Sequence, residues 1–188
     1  MDKNVTISVG MPVFNAEKHI NLAIKSILNQ TFTNFELIIT DDGSTDNTVD
    51  IIKSFKDSRI KLFTDTLNRG IGYRLNQQIN IASGQYFARM DADDLMFPNR
   101  LESQLQYMQY NQSIDVIGGQ AVVINDLNCI IGLRRVKEKY SFREAIKHSI
   151  FIHPTIFGKL TWFKANLYDE NYSGTEDHEL FMRAYKQS

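Results

Sequence analysis

The stretch "YFARMDADDLMFPNRL", Tyr86 to Leu101, places Asp91, Asp93 and Asp94 within four positions, directly after an apolar run that reads as a buried strand. Three carboxylates in such a place repel one another and are costly to remove from water. A solvated turn with a helix cap is one reading, since Asp is favoured at caps, but the apolar strand ahead of it argues against that. A calcium loop starting at Asp91 has Glu102 at its twelfth position, yet Leu95 is fifth, Met96 stands where a glycine belongs, and Pro98 falls inside. An aspartyl-phosphate enzyme pairs a nucleophilic Asp with an acid; that chemistry belongs after a first strand, and this cluster follows a fourth. What remains is a hard divalent cation, Mn²⁺ or Mg²⁺, held by one or two carboxylates and completed by oxygens of a phosphorylated substrate. Such a site is half-built until the substrate arrives, which accounts for the lack of a neighbouring His or Cys in the sequence.

Familiar phosphate motifs are missing. There is no G-x-x-x-x-G-K-[ST], and "RGIG" supplies Gly70 and Gly72 without the third glycine of a dinucleotide fingerprint. A diphosphate would therefore be gripped chiefly through the metal.

The elements that position the cluster follow from periodicity. "VTISVGM" (Val5 to Met11), "FELIIT" (Phe35 to Thr40), "RIKLFT" and "GQYFARM" read as strands. Between them, Ile20, Ile24, Ile27 and Leu28, then Val49, Ile52 and Phe55, then Ile71, Leu75 and Ile79 mark helices, and Pro98 suits a first helical residue ahead of Leu101, Leu105 and Met108. Strands alternating with helices predict an α/β fold, a mostly parallel twisted sheet with helices on both faces. Ligands gather at the carboxyl ends of such strands. "PVFN", "DDGSTD" and "DADD" all fall there, so three polar clusters share one rim.

The pattern changes after about residue 113. "DVIGGQAVVI" and "CIIGLRRV" predict two strands joined near "NDLN", "SFREAIKHS" a short helix, "IFIHPTIFG" a strand, and Glu176 to Lys186 a helix with Leu180, Phe181 and Ala184 inward. The expected organisation is two halves, residues 1–112 and 113–188. The chain stops soon after "TED", as expected for the excised core of something longer.

Composition excludes several classes. The 188 residues are 43% hydrophobic and 23% charged, with a net charge of −1, which lacks the basic excess of a nucleic-acid binder. One cysteine, Cys129, rules out a disulfide framework and is expected as a small buried apolar residue. No signal-peptide h-region and no membrane-length apolar run are present, so a cytoplasmic location is expected, with peripheral contact at the inner face of the membrane left open.

At this point the residues resemble the family 2 glycosyltransferases, inverting enzymes of the GT-A fold. "VGMPVFNAEKHINLAIKSILNQTF" is similar to the family's strand, P-x-[YF]-N and first helix; "FELIITDDGSTDNT" to its D-D-G-S-x-D; "NRGIGYRLNQQINIASGQYFARMDADD" to its N-x-G, Arg, A-x-G and D-x-D order; "HPTIF" and "LYDENYSGTEDHELFMRA" to its H-P-T and E-D elements. Five motifs in order, from about Val5 to Ala184, make the resemblance specific. It implies that Pro12, Phe14 and Asn15 lie against the nucleoside, with ordinary core the alternative for Phe14. Asp42 would accept the N–H of a uracil-like base with Asp41 beside it; a turn and cap pair is the plainer reading. Asn68, Gly70 and Arg74 would border the nucleotide, Arg74 reaching base or phosphate or else standing as a surface arginine. Asp93 would contact the metal directly, with Asp91 toward the ribose or a metal-bound water and Asp94 as a further candidate. Asp177 matches the catalytic base, Glu176 its neighbour, and a helix cap is the alternative. His153 is either a core histidine or a group near the diphosphate. Asp46 reads as a cap. His19, His148 and His178 show no ligand pattern, and Gln77 and Gln78 suggest no chemistry.

The activity so implied is a metal-dependent inverting transfer, of the hexosyltransferase type, from a nucleoside-diphosphate sugar, a UDP-sugar foremost, to a glycan or lipid-linked acceptor in surface polysaccharide or glycan synthesis. Two alternatives stand beside it: a nucleotide-sugar-binding core inactive alone, and a nucleotidyltransferase, which lacks here the glycine- and lysine-rich loop it needs.

Overall fold

The computed structural model describes residues 5–137, 140–147 and 149–187. Its framework is laid by four short apolar runs. β1 (Ile7–Val13), β2 (Phe35–Asp41), β3 (Ile60–Thr64) and β4 (Tyr86–Arg89) are parallel and are linked by α1 (Ile20–Leu28), α2 (Thr48–Ser54) and α3 (Ile71–Ile81). The six-stranded sheet has the order β3-β2-β1-β4-β8-β5, in which β8 (Phe157–Lys159) runs antiparallel to β4 and to β5 (Val116–Ile117). The chain steps outward from β1 to β3, then returns to place β4 on the other side of β1. That reversal opens a crevice at the carboxyl ends of β1 and β4, where sheets of this kind bind ligands.

Residue alternation assigns each strand face to its helices. Ile7, Val9, Met11 and Val13 of β1, with Leu37 and Ile39 of β2, pack against Ile20, Ile24 and Ile27 of α1, Ile52 of α2, and Leu101, Leu105 and Met108 of α4 (Arg100–Tyr110). On the other face Ile38 and Phe87 pack against Leu75 and Ile79 of α3, Leu160 and Phe163 of α6 (Leu160–Ala165), and Leu180 and Phe181 of α7 (Glu176–Gln187). Each fully buried aliphatic contributes about 2 kcal/mol by leaving water, and Ile24→Ala would cost about 3 kcal/mol once the cavity is included. Gly10 is small for a packing reason: a Cβ there would stand 2.4 Å from Phe87 Cζ and 2.6 Å from Gln78 Oε1.

Several expectations needed correction. α4 begins at Arg100, so Pro98 lies in the turn ahead of the helix. "DVIGGQAVVI" is two strands: Val116–Ile117 joins the main sheet, whereas β6 (Ala121–Ile124) pairs with β7 (Ile130–Arg134) in a separate antiparallel hairpin. "IFIHPTIFG" divides into a 3₁₀ turn at His153–Thr155 and β8, since Pro154 lacks the N–H a central strand needs. The short helix is α5 (Phe142–Lys147); His148 lies outside the described residues. Cys129 is exposed at the hairpin turn, its N–H bonded to Asn125 Oδ1, because turn geometry outweighs the modest gain from burying a thiol. Among the described residues no helix is long and apolar enough to cross a membrane.

Candidate active site

The exits of β1 and β2 are laced into one rim. Asn15 adopts φ of +48°, the left-handed region that Asn tolerates. Its N–H donates to Ser44 Oγ at 2.9 Å, and its Oδ1 accepts the Thr45 N–H at 2.8 Å. The Glu17 N–H donates to Asp46 Oδ2 at 3.1 Å while Glu17 Oε2 accepts from the Asn47 N–H at 3.0 Å. Asp46 Oδ1 takes the Thr48 N–H at 2.9 Å, a capping role as expected. Pro12 is half-buried; Phe14 is 48% exposed and is not core.

Asp42 is held from three sides. Its Oδ1 accepts from Arg74 Nε at 2.7 Å and the Arg69 N–H at 2.8 Å, and its Oδ2 from the Gly70 N–H at 2.9 Å. Arg74 is only 2% exposed, so it is a buried brace and not a surface arginine. Its remaining bonds run to Asp65, the Leu67 carbonyl and Gln77 Oε1. Arg69 and Arg74 together hold the Asp65 carboxyl well below the usual range. The two glutamines also have work: Gln78 donates to Thr40 Oγ at 2.6 Å in the interior. Asp41 is buried, with Oδ2 on the Ser44 N–H and Oδ1 unpartnered among the described residues. Asn68 is exposed beside Gly70, whose φ is +88°.

The acidic cluster is not wholly awaiting external charge. Buried Arg89 forks onto Asp91, Nη1 to Oδ2 at 2.7 Å and Nη2 to Oδ1 at 2.5 Å. Residues two apart on a strand share a side, which is why the last strand residue reaches the first Asp. Burial still pushes the Asp91 carboxyl up against the pull of Arg89. Asp94 is pushed up to about 6 by burial and by the neighbouring Asp91 and Asp93 charges. Asp93 is exposed and has no partner among the described residues. Arg100 sits behind the loop, lowered to about 10 by burial, and donates to the Arg89 and Ile156 carbonyls at 3.0 and 3.3 Å. The loop is pinned from α1: Ser26 Oγ accepts the Met96 N–H, and Gln30 bonds the Phe97 carbonyl and the Leu101 N–H. Among the described residues no three His, Cys, Asp or Glu groups converge as a complete metal site. The oxygen donors of Asp93 and Asp94 suit a hard dication that shares its shell with a substrate.

His153 and Tyr168 join this cluster to the "TED" motif. His153 Nε2 and Tyr168 Oη are 2.9 Å apart. Burial, with nearby Arg89, keeps His153 well below its ordinary value and therefore neutral. Burial raises the Tyr168 hydroxyl, and the charges of Arg89, Asp177, Glu176 and Asp91 all reach it. Asn76 of α3 fixes this segment by accepting the Tyr168 N–H at 2.8 Å and donating to its carbonyl at 2.9 Å. Asp177 opens α7, where the helix N-terminus favours an anion. Its Oδ2 accepts from Ser149 Oγ at 3.2 Å and its Oδ1 from the His178 N–H at 2.7 Å. Glu176 is buried with Oε2 unpartnered among the described residues.

A cavity of about 710 Å³ opens between the acidic loop and the hairpin, lined by Asp91, Asp93, Asp94, Phe97, Ile130 and Arg134 among others. The ends of β1 and β2 do not line it. Sequence reasoning missed Arg89, Arg100, Asn76 and Tyr168. The period of two could have found Arg89 beside Asp91; no signal in the sequence pointed to the others.

A profile of the family described as "Glycosyl transferase family 2" matches residues 8–170. An uncharacterized glycosyltransferase of Methanocaldococcus jannaschii is 36% identical over 192 residues, covering 97% of this chain and 65% of that protein. The Escherichia coli UDP-Glc:alpha-D-GlcNAc-diphosphoundecaprenol beta-1,3-glucosyltransferase WfgD is 37% identical over 142 residues, covering 76% of this chain and 55% of that protein. The chain thus spans less than two thirds of the length of either relative. In the crystal structure of S. aureus TarS in complex with UDP, the similarity covers 96% of this chain and 55% of that one, at a TM-score of 0.75 and 22% identity. The mannosyltransferase PcManGT of Pyrobaculum calidifontis, in complex with GDP-Man and Mn²⁺, aligns over 95% of this chain and 51% of that one, at a TM-score of 0.72 and 18% identity.

Proposed function

Because the chain belongs to glycosyl transferase family 2, we propose that it moves a sugar from a nucleoside-diphosphate sugar to an acceptor hydroxyl, with inversion at the anomeric carbon. The α/β fold is that of the GT-A glycosyltransferases. A UDP-sugar is favoured as donor, in line with the UDP in the TarS complex and the UDP-Glc in the name of WfgD. The acceptor is a glycan or a lipid-linked sugar, met at the cytoplasmic face of a membrane.

One observation carries the reading: the cavity lined by Asp91, Asp93 and Asp94 shares Arg134 and Ile152 with the recess whose Ser149 donates to Asp177. An acidic cluster suited to a dication and a carboxylate suited to a base therefore flank one small region. Phe14, exposed at the rim beside half-buried Pro12, offers the base an apolar surface. Asp42, immobilised by Arg74, sets the rim's shape with Asp41, Asn15, Asn68 and Gly70. Asp93 and Asp94, with Asp91 behind them, would hold Mn²⁺ or Mg²⁺. When bound, the ion neutralises charge gathering on the leaving diphosphate. Asp177 takes the proton of the acceptor hydroxyl as that oxygen forms its bond to the anomeric carbon and the bond to the diphosphate breaks, its electron pair leaving with the diphosphate. A positioned base of this kind supplies about 10²–10⁴-fold.

The test uses calorimetry with UDP and Mn²⁺ next to a sugar-release assay. Asp93→Asn should lose metal-dependent UDP binding. Asp177→Asn should bind UDP as the wild type does and turn over at least a hundredfold more slowly; normal turnover would sink the base assignment. UDP binding with no turnover in the wild type would favour a donor-binding core, a reading kept open because the chain spans 55% of WfgD.

A further inference from the structure

Beside the acidic cavity lies a recess of about 380 Å³ with a basic excess, lined by Arg134, Arg135 and Lys137 against Glu144, together with Tyr140 and Ser149. Lys137 is paired with Glu144 at 2.5 Å. Arg134 and Arg135 are exposed, and neither makes an ion pair or side-chain hydrogen bond with a described residue. The surrounding sequence is basic in a chain of net charge −1: residues 130–147 hold Arg134, Arg135, Lys137, Lys139, Arg143 and Lys147 against Glu138 and Glu144. Adjacent guanidinium groups repel unless an anion joins them, and their planar forks match phosphate oxygens.

The position of the recess is specific. Arg134 and Ile152 line both it and the acidic cavity, so the two adjoin. Ser149, on the wall of the recess, is the residue that donates to Asp177. The recess therefore adjoins, through Ser149, the carboxylate assigned as the base. Along β7, Ile131 and Leu133 alternate with Ile130 and Arg134, which line the acidic cavity, and are 65% and 61% exposed. The outer face of the hairpin thus carries two aliphatic side chains directly ahead of Arg135.

We propose that this recess binds the diphosphate of a phosphorylated acceptor and holds that acceptor's hydroxyl toward Asp177. The inference rests on the transfer reading above. The chemistry recognised is the diphosphate group of a hydroxyl-bearing acceptor, esterified to a lipid as well or free of one.

The test measures binding of farnesyl diphosphate and of inorganic pyrophosphate to the 188-residue chain by calorimetry, with EDTA present to silence any site that depends on a cation. The wild type should bind farnesyl diphosphate, and Arg134→Gln/Arg135→Gln should bind it at least tenfold more weakly, with Arg134→Lys/Arg135→Lys in between. Should the double glutamine variant unfold in a thermal melt, Arg135→Gln alone carries the comparison. Farnesyl diphosphate binding more tightly than pyrophosphate assigns a lipid carrier, with Ile131 and Leu133 as its apolar contact; equal binding assigns a free diphosphate. Equal affinity of glutamine variant and wild type, or no binding by the wild type, overturns the proposal. UDP and Mn²⁺ binding, measured on EDTA-free portions of the same preparations, separates the two readings: arginine-dependent farnesyl diphosphate binding without UDP binding sinks the donor reading and leaves the recess standing.

Discussion

Arg89 grips Asp91 through both carboxylate oxygens, from a side chain that is only 3% exposed. Arg89→Met keeps the volume and removes the charge, stranding Asp91 between Asp93 and Asp94. Loss of one partner of a buried pair costs about 3–5 kcal/mol, and the lower end applies because Asp91 keeps 28% of its exposure. Urea denaturation should show about 3 kcal/mol for Arg89→Met, with much of it recovered in Arg89→Met/Asp91→Asn. An unchanged midpoint for the single variant would mean that Arg89 carries no structural charge balance.

Arg74→Lys is not a conservative change. A lysine reaches Asp42 or Asp65 but cannot span Asp42, Asp65, Gln77 and the Leu67 carbonyl at once. The expected loss is roughly 3 kcal/mol. Because Asp42 also anchors the Arg69 and Gly70 amides, their hydrogen exchange should quicken in the variant while exchange in β1 keeps pace only with the global loss.

Two glycines with positive φ should respond differently to alanine. At Gly43, φ is +81° and a Cβ would stand 3.2–3.3 Å from backbone atoms of Thr66, Leu67 and Asn68. At Gly70, φ is +88° and the space is open. Both pay about 1–2 kcal/mol of backbone strain, and only Gly43→Ala adds crowding that backbone cannot relieve. Denaturation should rank Gly43→Ala as the more damaging; the reverse order would place the constraint in the loop around Gly70.

Stability should fall on mild acidification through His153. Its folded pKa lies well below the ordinary 6.5, so the unfolded chain binds the extra proton first. The neutral ring's contribution is complete above about pH 6.5 and is lost as pH drops toward the folded value. Comparing wild type with His153→Gln by urea unfolding at about pH 8 and about pH 5 isolates it. The wild type should lose more than the variant, and parallel losses would mean that the ring is not desolvated.

Much of this protein was legible in local pattern. Ile20, Ile24 and Ile27 lie on one helical face, and the apolar runs 35–40 and 86–90 read as buried strands, because period and composition report burial wherever one face or both must leave water. The polar endings of β1 and β2 are joined by hydrogen bonds, as neighbouring strand ends allow, whereas the acidic loop after β4 lines the cavity under the hairpin. The later segment was read less well: "DVIGGQAVVI" divides between two sheets and Cys129 is exposed, since short strands of 2 to 5 residues bury too little to impose a pattern.

By itself, then, the order of residues determined the alternation of strands and helices, the family motifs and the placing of acid groups at strand ends, all of which depend on neighbours in the chain. Tertiary structure alone decided which charges are matched: Arg89 to Asp91, Arg74 to Asp42, Ser149 to Asp177, and Arg134 and Arg135 to no described residue. Coulomb and hydrogen-bond energies depend on distance and burial in space, and except where a strand's period of two brings Arg89 beside Asp91, those distances exist only once the sheet has closed.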